Sequence, residues 1–257
     1  MTQGPGSYRT MPISELSLRV MSWNIHKGIG GLDRRYQLDR TIAVLKYYNP
    51  DILLLQEVAQ DVRSLKRHDQ VDLLVHALGL HAAFYPEHHY QVGAYGNLIL
   101  ARWPIFDTNH LNLTVGRRKK RGMIQAHIRF HTSKHQRTLV VHNMHLGLIG
   151  KERRIQLNRF IESQCLRHLH QSTPIIVGGD LNDLWGNLGA RHLIPWGFSR
   201  AGTLANTFPS ALPLRPLDGL FFRGGLRLIH FEVANSKLTR AASDHLPIYA
   251  DFVLLPA

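Results

Sequence analysis

The chain has 257 residues, 44% apolar and 19% charged, enough to bury a sizeable core without covalent staples. A single cysteine, Cys165, excludes an internal disulfide framework and fits a reducing, cytoplasmic setting. Lys and Arg number 31 against 18 Asp and Glu, a net charge of +13, which favours a polyanionic partner: nucleic acid, an anionic phospholipid surface or a phosphorylated ligand.

Residues 1–17 carry no apolar core of the kind a secretion signal needs and read as a flexible lead-in to one domain over 18–257. No run approaches the ~20 apolar residues that span a bilayer, so no transmembrane segment is expected. In chain order, LSLRVMSWNI is a β-prone run and DRTIAVLKYYN has helical spacing ending before Pro50. DILLLQEV is continuously apolar, and QVDLLVHALGL is a helix stopped near Gly79. The runs YGNLILA, GMIQAHIRF and RTLVVHNMHL follow, then a long helix from about Lys151 to His170. PIIVGG, LDGLFF, LRLIHFEVA and LPIYADFVLL complete roughly nine strands and at least three helices. The runs at 51–55 and 175–178 are apolar throughout, as in strands covered on both faces. The pattern predicts two sheets packed face to face with helices outside.

Strand after strand ends in residues able to bind a metal or move a proton. VMSWNIH delivers Asn24 and His26, LLLQEV Glu57, and VVHNMHLG His142 and His145. VGGDLND delivers Asp180 and Asn182, PLDGLF Asp218, and AASDHLPI Asp244 and His245. One such ending is an ordinary turn signal; the set points to a shared site. Carboxylate and amide oxygens suit a hard cation such as Mg2+ or Mn2+, and histidines beside carboxylates suit proton transfer at a phosphate. His142 alternates along its strand and is expected to be structural.

The ordered motifs SWNI, LLLQEV, GNLILARWPI, HNMHLG, IVGGDLND and SDHLPI resemble the endonuclease/exonuclease/phosphatase superfamily over about Arg19 to Phe252. That superfamily includes pancreatic-type deoxyribonucleases, repair endonucleases and neutral sphingomyelinases. The resemblance implies a four-layer α/β sandwich and a metal-dependent phosphoester hydrolase. It implies Glu57 as principal metal ligand, with Asn24 and Asp244 beside the ion. It implies that Asp180, helped by Asn182, activates the attacking water. His245, aligned by Asp218, then contacts the phosphate, and His145 stands where the deoxyribonucleases carry a second catalytic histidine. Three departures stand out. His26 replaces an aspartate of the repair enzymes, and Pro216 and Gly219 replace a basic and an aromatic residue around Asp218; His142 has no family counterpart.

The substrate is expected to be a phosphodiester, nucleic acid first and phospholipid or a small phosphoester second. GRRKKRG places Arg117, Arg118, Lys119, Lys120 and Arg121 just before a strand, as a capture patch for phosphates or a solvated loop. Lys151, Arg153, Arg154 and Arg159 add positive charge to the long helix. FYPEHHYQVGAYGN reads as an aromatic and histidine-rich loop, suited to stack on bases or to pack.

Overall fold

The computed structural model describes residues 16–131 and 136–255. Residues 1–15 of the expected lead-in lie outside the described residues; its last two positions, Leu16 and Ser17, already pair with Leu254 and Val253. The strands are β1 (Leu16–Asn24), β2 (Ile52–Gln60), β3 (His81–His89), β4 (Ala94–Ala101), β5 (Ile105–Asn112) and β6 (Gly122–His131). They continue with β7 (Gln136–His145), β8 (Ile175–Asp180), β9 (Ser199–Arg200), β10 (Asp218–Arg223), β11 (Leu226–Val233) and β12 (Ile248–Leu254). The helices are α1 (Leu38–Tyr48), α2 (Gln70–Leu78), α3 (Gly150–Glu162), α4 (Gln164–Arg167), α5 (Leu188–His192) and α6 (Lys237–Ala242).

Two mixed six-stranded sheets form, in the orders β11-β12-β1-β2-β4-β3 and β5-β6-β7-β8-β10-β9. Their inner faces interdigitate through residues such as Val20, Leu54, Ile99, Ile128, Val141, Ile176 and Phe252. Alternate residues of the same strands face outward and meet helices, because strand side chains alternate faces. Met21, Trp23, Leu53 and Leu100 pack with Val44 and Leu45 of α1 and Leu74 of α2. Val140, Met144 and Val177 pack with Leu157 and Phe160 of α3. The result is the expected α/β sandwich.

Three readings of the sequence need correction. The segment around Tyr85 to His89 is an edge strand, β3, paired with β4, and not a loop; it tolerates Pro86 because an edge strand needs only one ladder. The long helix breaks at Ser163, whose extended backbone (φ −71°, ψ 156°) separates α3 from α4 and whose hydroxyl donates to Phe160 O at 2.6 Å. Twelve strands stand among the described residues rather than nine, the additional ones being β3, β5 and the two-residue β9.

The topology brings the chemistry to one edge. Parallel β7 and β8 place His145 beside Asp180, and antiparallel β10 places Asp218 on the other side of Asp180. In the facing sheet, parallel β1 and β2 set Asn24 beside Gln56. Close approach matters at Gly179 (φ +140°): an added Cβ would lie 1.9 Å from Met144 O, so only glycine lets β8 draw in against β7 here.

Candidate active site

Asp180 is the hub, 2% exposed. Its Oδ1 accepts the Asn182 N–H at 2.9 Å, a two-residue turn that explains why Asp and Asn recur at this spacing. Its Oδ2 accepts Asn24 Nδ2–H at 3.0 Å and faces His145 Nε2 at 3.3 Å and His245 Nε2 at 3.8 Å. Burial raises the Asp180 pKa to about 6, against the pull of His245, Asn24 and Asn182. Asn182, at φ 48°, donates its Nδ2–H to Leu146 O at 2.8 Å and ties the tip of β8 to the loop after His145.

His245 is wired on both sides. Its Nδ1 donates to Asp218 Oδ2 at 2.9 Å, and its Nε2 faces Asp180. Burial disfavours the imidazolium, but Asp218 and Asp180 outweigh burial and raise its pKa to about 10. Asp218 Oδ2 also accepts from Thr207 Oγ1, and the Phe208 ring lies 4.9 Å from the His245 ring. Thr207 and Phe208 thus supply the support missing beside Asp218, where Pro216 and Gly219 stand. They come from a loop far enough back in sequence that no local motif announced them. Trp23 Nε1–H donates to His245 O at 2.8 Å, and Ser243 Oγ donates to Asn24 O at 2.7 Å, so the segment that carries His245 into β12 is locked to the end of β1. His145, fully enclosed, has its pKa held well below the usual histidine range by burial and by nearby Arg121 and Lys119, and is neutral. His142 is buried on α3's side of the sheet, its Nε2 facing Gln125 Nε2 at 3.0 Å and Cys165 O at 3.4 Å, away from this cluster.

Glu57 sits at φ 55° in a β-bulge, where the β2–β4 register shifts between Leu55 and Val58. The bulge turns its carboxylate out of the ladder. Burial pushes its pKa up, but the charge and hydrogen bond of Lys27 outweigh burial and hold it below the usual range. Lys27 (φ 57°) pairs with Glu57 Oε2 and lies 4.7 Å from the Tyr95 ring centre. Sequence reading missed Lys27; the signal was its position one residue after the Asn24–His26 pair. His26 N–H donates to Asn24 Oδ1 at 3.0 Å, and His26 Nδ1 lies 3.6 Å from Asp244 Oδ1. His26 therefore links the two expected ligands where the repair enzymes place an aspartate. The ligand atoms of Asp180, Asp218 and His245 lie within 4.8 Å of one another, but there His245 Nδ1 is already hydrogen-bonded to Asp218. A hard cation fits better at Glu57, a partly enclosed carboxylate that stays charged and whose Oε2 is held by a cation, the Lys27 ammonium.

The basic segment divides structurally at Arg121. Arg117, Arg118, Lys119 and Lys120 are all exposed, Lys119 with its Nζ 5.5 Å from the Tyr95 ring centre. Arg121 is 3% exposed and reaches His145, because it immediately precedes Gly122, the β6 residue paired with His145. On α3, Arg153 and Arg159 donate to backbone carbonyls of Leu148 (2.7 Å) and Thr114 (2.9 Å), leaving Lys151 and Arg154 as its free-facing exposed cations.

A profile of the Endonuclease/Exonuclease/phosphatase family matches residues 21–245, which encloses every one of these site residues. The chain belongs to the endonuclease/exonuclease/phosphatase family. Members of this family are hydrolases of phosphoesters. Among similar proteins, Escherichia coli (strain K12) YbhP, described as uncharacterized, is 29% identical over 253 residues, 93% of this chain and 98% of the relative. An endonuclease/exonuclease/phosphatase from Beutenbergia cavernae superposes with a TM-score of 0.74 at 21% identity, over 94% of this chain and 72% of that one. The Bacteroides thetaiotaomicron mannosyl-6-phosphatase Bt3783 superposes with a TM-score of 0.71 at 17% identity, over 91% and 99%. At these identities the solved structures establish the shared fold.

Proposed function

We propose that the chain is a divalent-metal-dependent phosphodiesterase, acting on nucleic acid by in-line attack of an activated water. The observation that carries this reading is the buried Asp218–His245–Asp180 chain, in which a carboxylate with a pKa of about 6 faces an imidazolium with a pKa of about 10. Near neutral pH that arrangement keeps a base and a cationic donor side by side, as attack on phosphorus requires. Asp180 takes the proton of the attacking water, steadied by Asn24 and Asn182. His245, held by Asp218, donates to a phosphate oxygen as negative charge grows. His145 presents a neutral ring to the same centre. Glu57, Asn24 and Asp244 would hold Mg2+ or Mn2+, which supplies neutralisation of the non-bridging oxygens.

The net charge of +13 and the exposed Arg117, Arg118 and Lys120 support nucleic acid as substrate. A second reading, a lipid phosphodiester, draws on the exposed Leu148 (67%), Trp185 (69%) and Leu212 (65%) on loops next to His145, Asp180 and Asp218. The test is plasmid nicking beside hydrolysis of phospholipid vesicles and a chromogenic diester, with Mg2+, Mn2+ or chelator. Metal-dependent nicking is expected, with Asp180→Asn and His245→Gln lowering kcat by roughly 10² or more. Glu57→Gln should raise the Mg2+ requirement on the order of tenfold. Chelator-resistant turnover, or full kcat in both the Asp180 and His245 variants, overturns the proposal; preference for vesicles selects the second reading.

A further inference from the structure

Arg121 reaches the catalytic edge from the strand beside His145. Gly122, its neighbour, is the register partner of His145 across β6 and β7. The Arg121 backbone is anchored by an N–H donated to Thr114 Oγ1 at 3.2 Å and a carbonyl accepting from Leu113 N–H at 2.9 Å. The side chain is buried, its Nε has no hydrogen-bond partner, and its Nη1 lies 3.4 Å from His145 Nδ1.

The chemistry of this contact has one solution. A guanidinium offers N–H donors and no acceptor, so His145 Nδ1 must be the acceptor. A neutral imidazole carries one ring proton, and a lone pair at Nδ1 places that proton on Nε2. Nε2 is the atom facing Asp180 Oδ2 at 3.3 Å.

We propose that Arg121 is a positioning residue that fixes His145 as the Nε2–H tautomer, so that the ring presents a donor and not a lone pair to Asp180. The opposite tautomer is disfavoured at both ends: Nδ1–H would meet the guanidinium, and a bare Nε2 would meet the carboxylate. With Arg121 in place, Asp180 Oδ2 accepts Asn24 Nδ2–H and faces the Nε2–H side of the His145 ring, which favours one orientation of the carboxylate. His145 then acts by aiming Asp180 rather than by accepting the water's proton. The kinetic part of this inference rests on the proposed hydrolysis; the tautomer part does not.

The experiment is long-range proton–nitrogen correlation NMR on histidine-labelled protein, with steady-state kinetics on the same samples. In the unmodified chain His145 should show a protonated Nε2 and an unprotonated Nδ1. Arg121→Met should mix or invert the tautomers and lower kcat on the order of tenfold with KM little changed, the usual cost of losing an outer partner. Arg121→Lys, which keeps one donor, should restore the Nε2–H form and much of kcat. A protonated Nδ1 in the unmodified chain overturns the proposal, even should the Met variant fail to fold. So does an unchanged tautomer in Arg121→Met; a raised KM alongside would make Arg121 a phosphate ligand instead. If no phosphoester is hydrolysed by the unmodified chain, the functional reading fails while the tautomer measurement still decides the role of Arg121.

Discussion

Glu87 is the bulged residue of β3, where the pairing with β4 shifts between Pro86 and His88. Its Oε1 accepts Asn97 Nδ2–H and Gly122 N–H, each at 2.7 Å, while its buried Oε2 has no partner. Burial raises its pKa from 4.5 to about 8, against the opposing pull of Arg121 and these hydrogen bonds. The folded pKa exceeds the unfolded one, so its stabilising contribution is complete below about pH 4.5 and disappears as pH rises through about 8. Glutamine keeps the accepting oxygen and cannot ionise. Glu87→Gln should therefore gain stability relative to the unmodified chain across that window, by about 1.4 kcal/mol per pH unit and a few kcal/mol in all. Urea melts at pH 5 and pH 9 measure this, and a difference that stays constant with pH would show that Glu87 is not the titrating group. His142 and Asp180 show the other residue-scale lesson. Both end or alternate along apolar runs, yet only the position at the strand tip, set by register against its neighbours, joins the site.

At the scale of elements, the loop before β6 divides its cations between two tasks. Arg117, Arg118, Lys119 and Lys120 are all exposed, but Lys119 also leans over Tyr95 beside Lys27, and Arg121 touches His145. Replacing Arg117, Arg118 and Lys120 together by alanine should raise KM on duplex DNA and leave kcat alone. The salt dependence should flatten by about 0.9 for each phosphate that is no longer neutralised. Lys119→Ala should instead alter turnover, since its charge falls on Glu57. Salt titrations of nicking by both variants check this, and equal effects would return the segment to a single role. The interior strands β2 and β8 were legible because burial on both faces forces continuous apolar runs, and β7 because its residues alternate. The edge strands β3 and β5 were not: His81–His89 carries a proline and histidines, and Ile105–Asn112 is mostly exposed. An edge strand is held by one partner and some covering, and its sequence need not advertise it. The same reasoning covers the site. Asn24, Asp180 and Asp218 sit at tips of legible strands, Glu57 within one and His245 just before another, while Lys27 in a 3-10 turn and Thr207 and Phe208 in a loop follow paths that only the tertiary structure sets.

At the scale of the whole molecule, the two sheets are joined by more than apolar packing. Asn143 lies on β7 in one sheet, and its Nδ2 donates across the sandwich to Leu55 O at 2.8 Å and Leu98 O at 3.0 Å. Its Oδ1 accepts Gln56 Nε2–H at 2.7 Å. Leu55 and Leu98 are the last regular partners before the bulge that holds Glu57, so the bolt occupies carbonyls left turned toward the partner sheet where the ladder is interrupted. Asn143 and Gln56 are fully buried, and every polar group freed there would be left dry. Asn143→Ala should destabilise the fold by about 2–4 kcal/mol, from the cavity and the unpaired groups together. Because the bulge aims Glu57, the same variant should raise the Mg2+ concentration needed for half-maximal hydrolysis. Val141→Ala provides the control: it empties part of the inter-sheet core on the same strand, at a comparable cost of about 2 kcal/mol, without touching the bulge. Denaturant melts should show both variants weakened, and metal titrations should separate them. If both raise the Mg2+ requirement alike, the effect is that of a loosened sandwich, and the inter-sheet amide does not govern where Glu57 points.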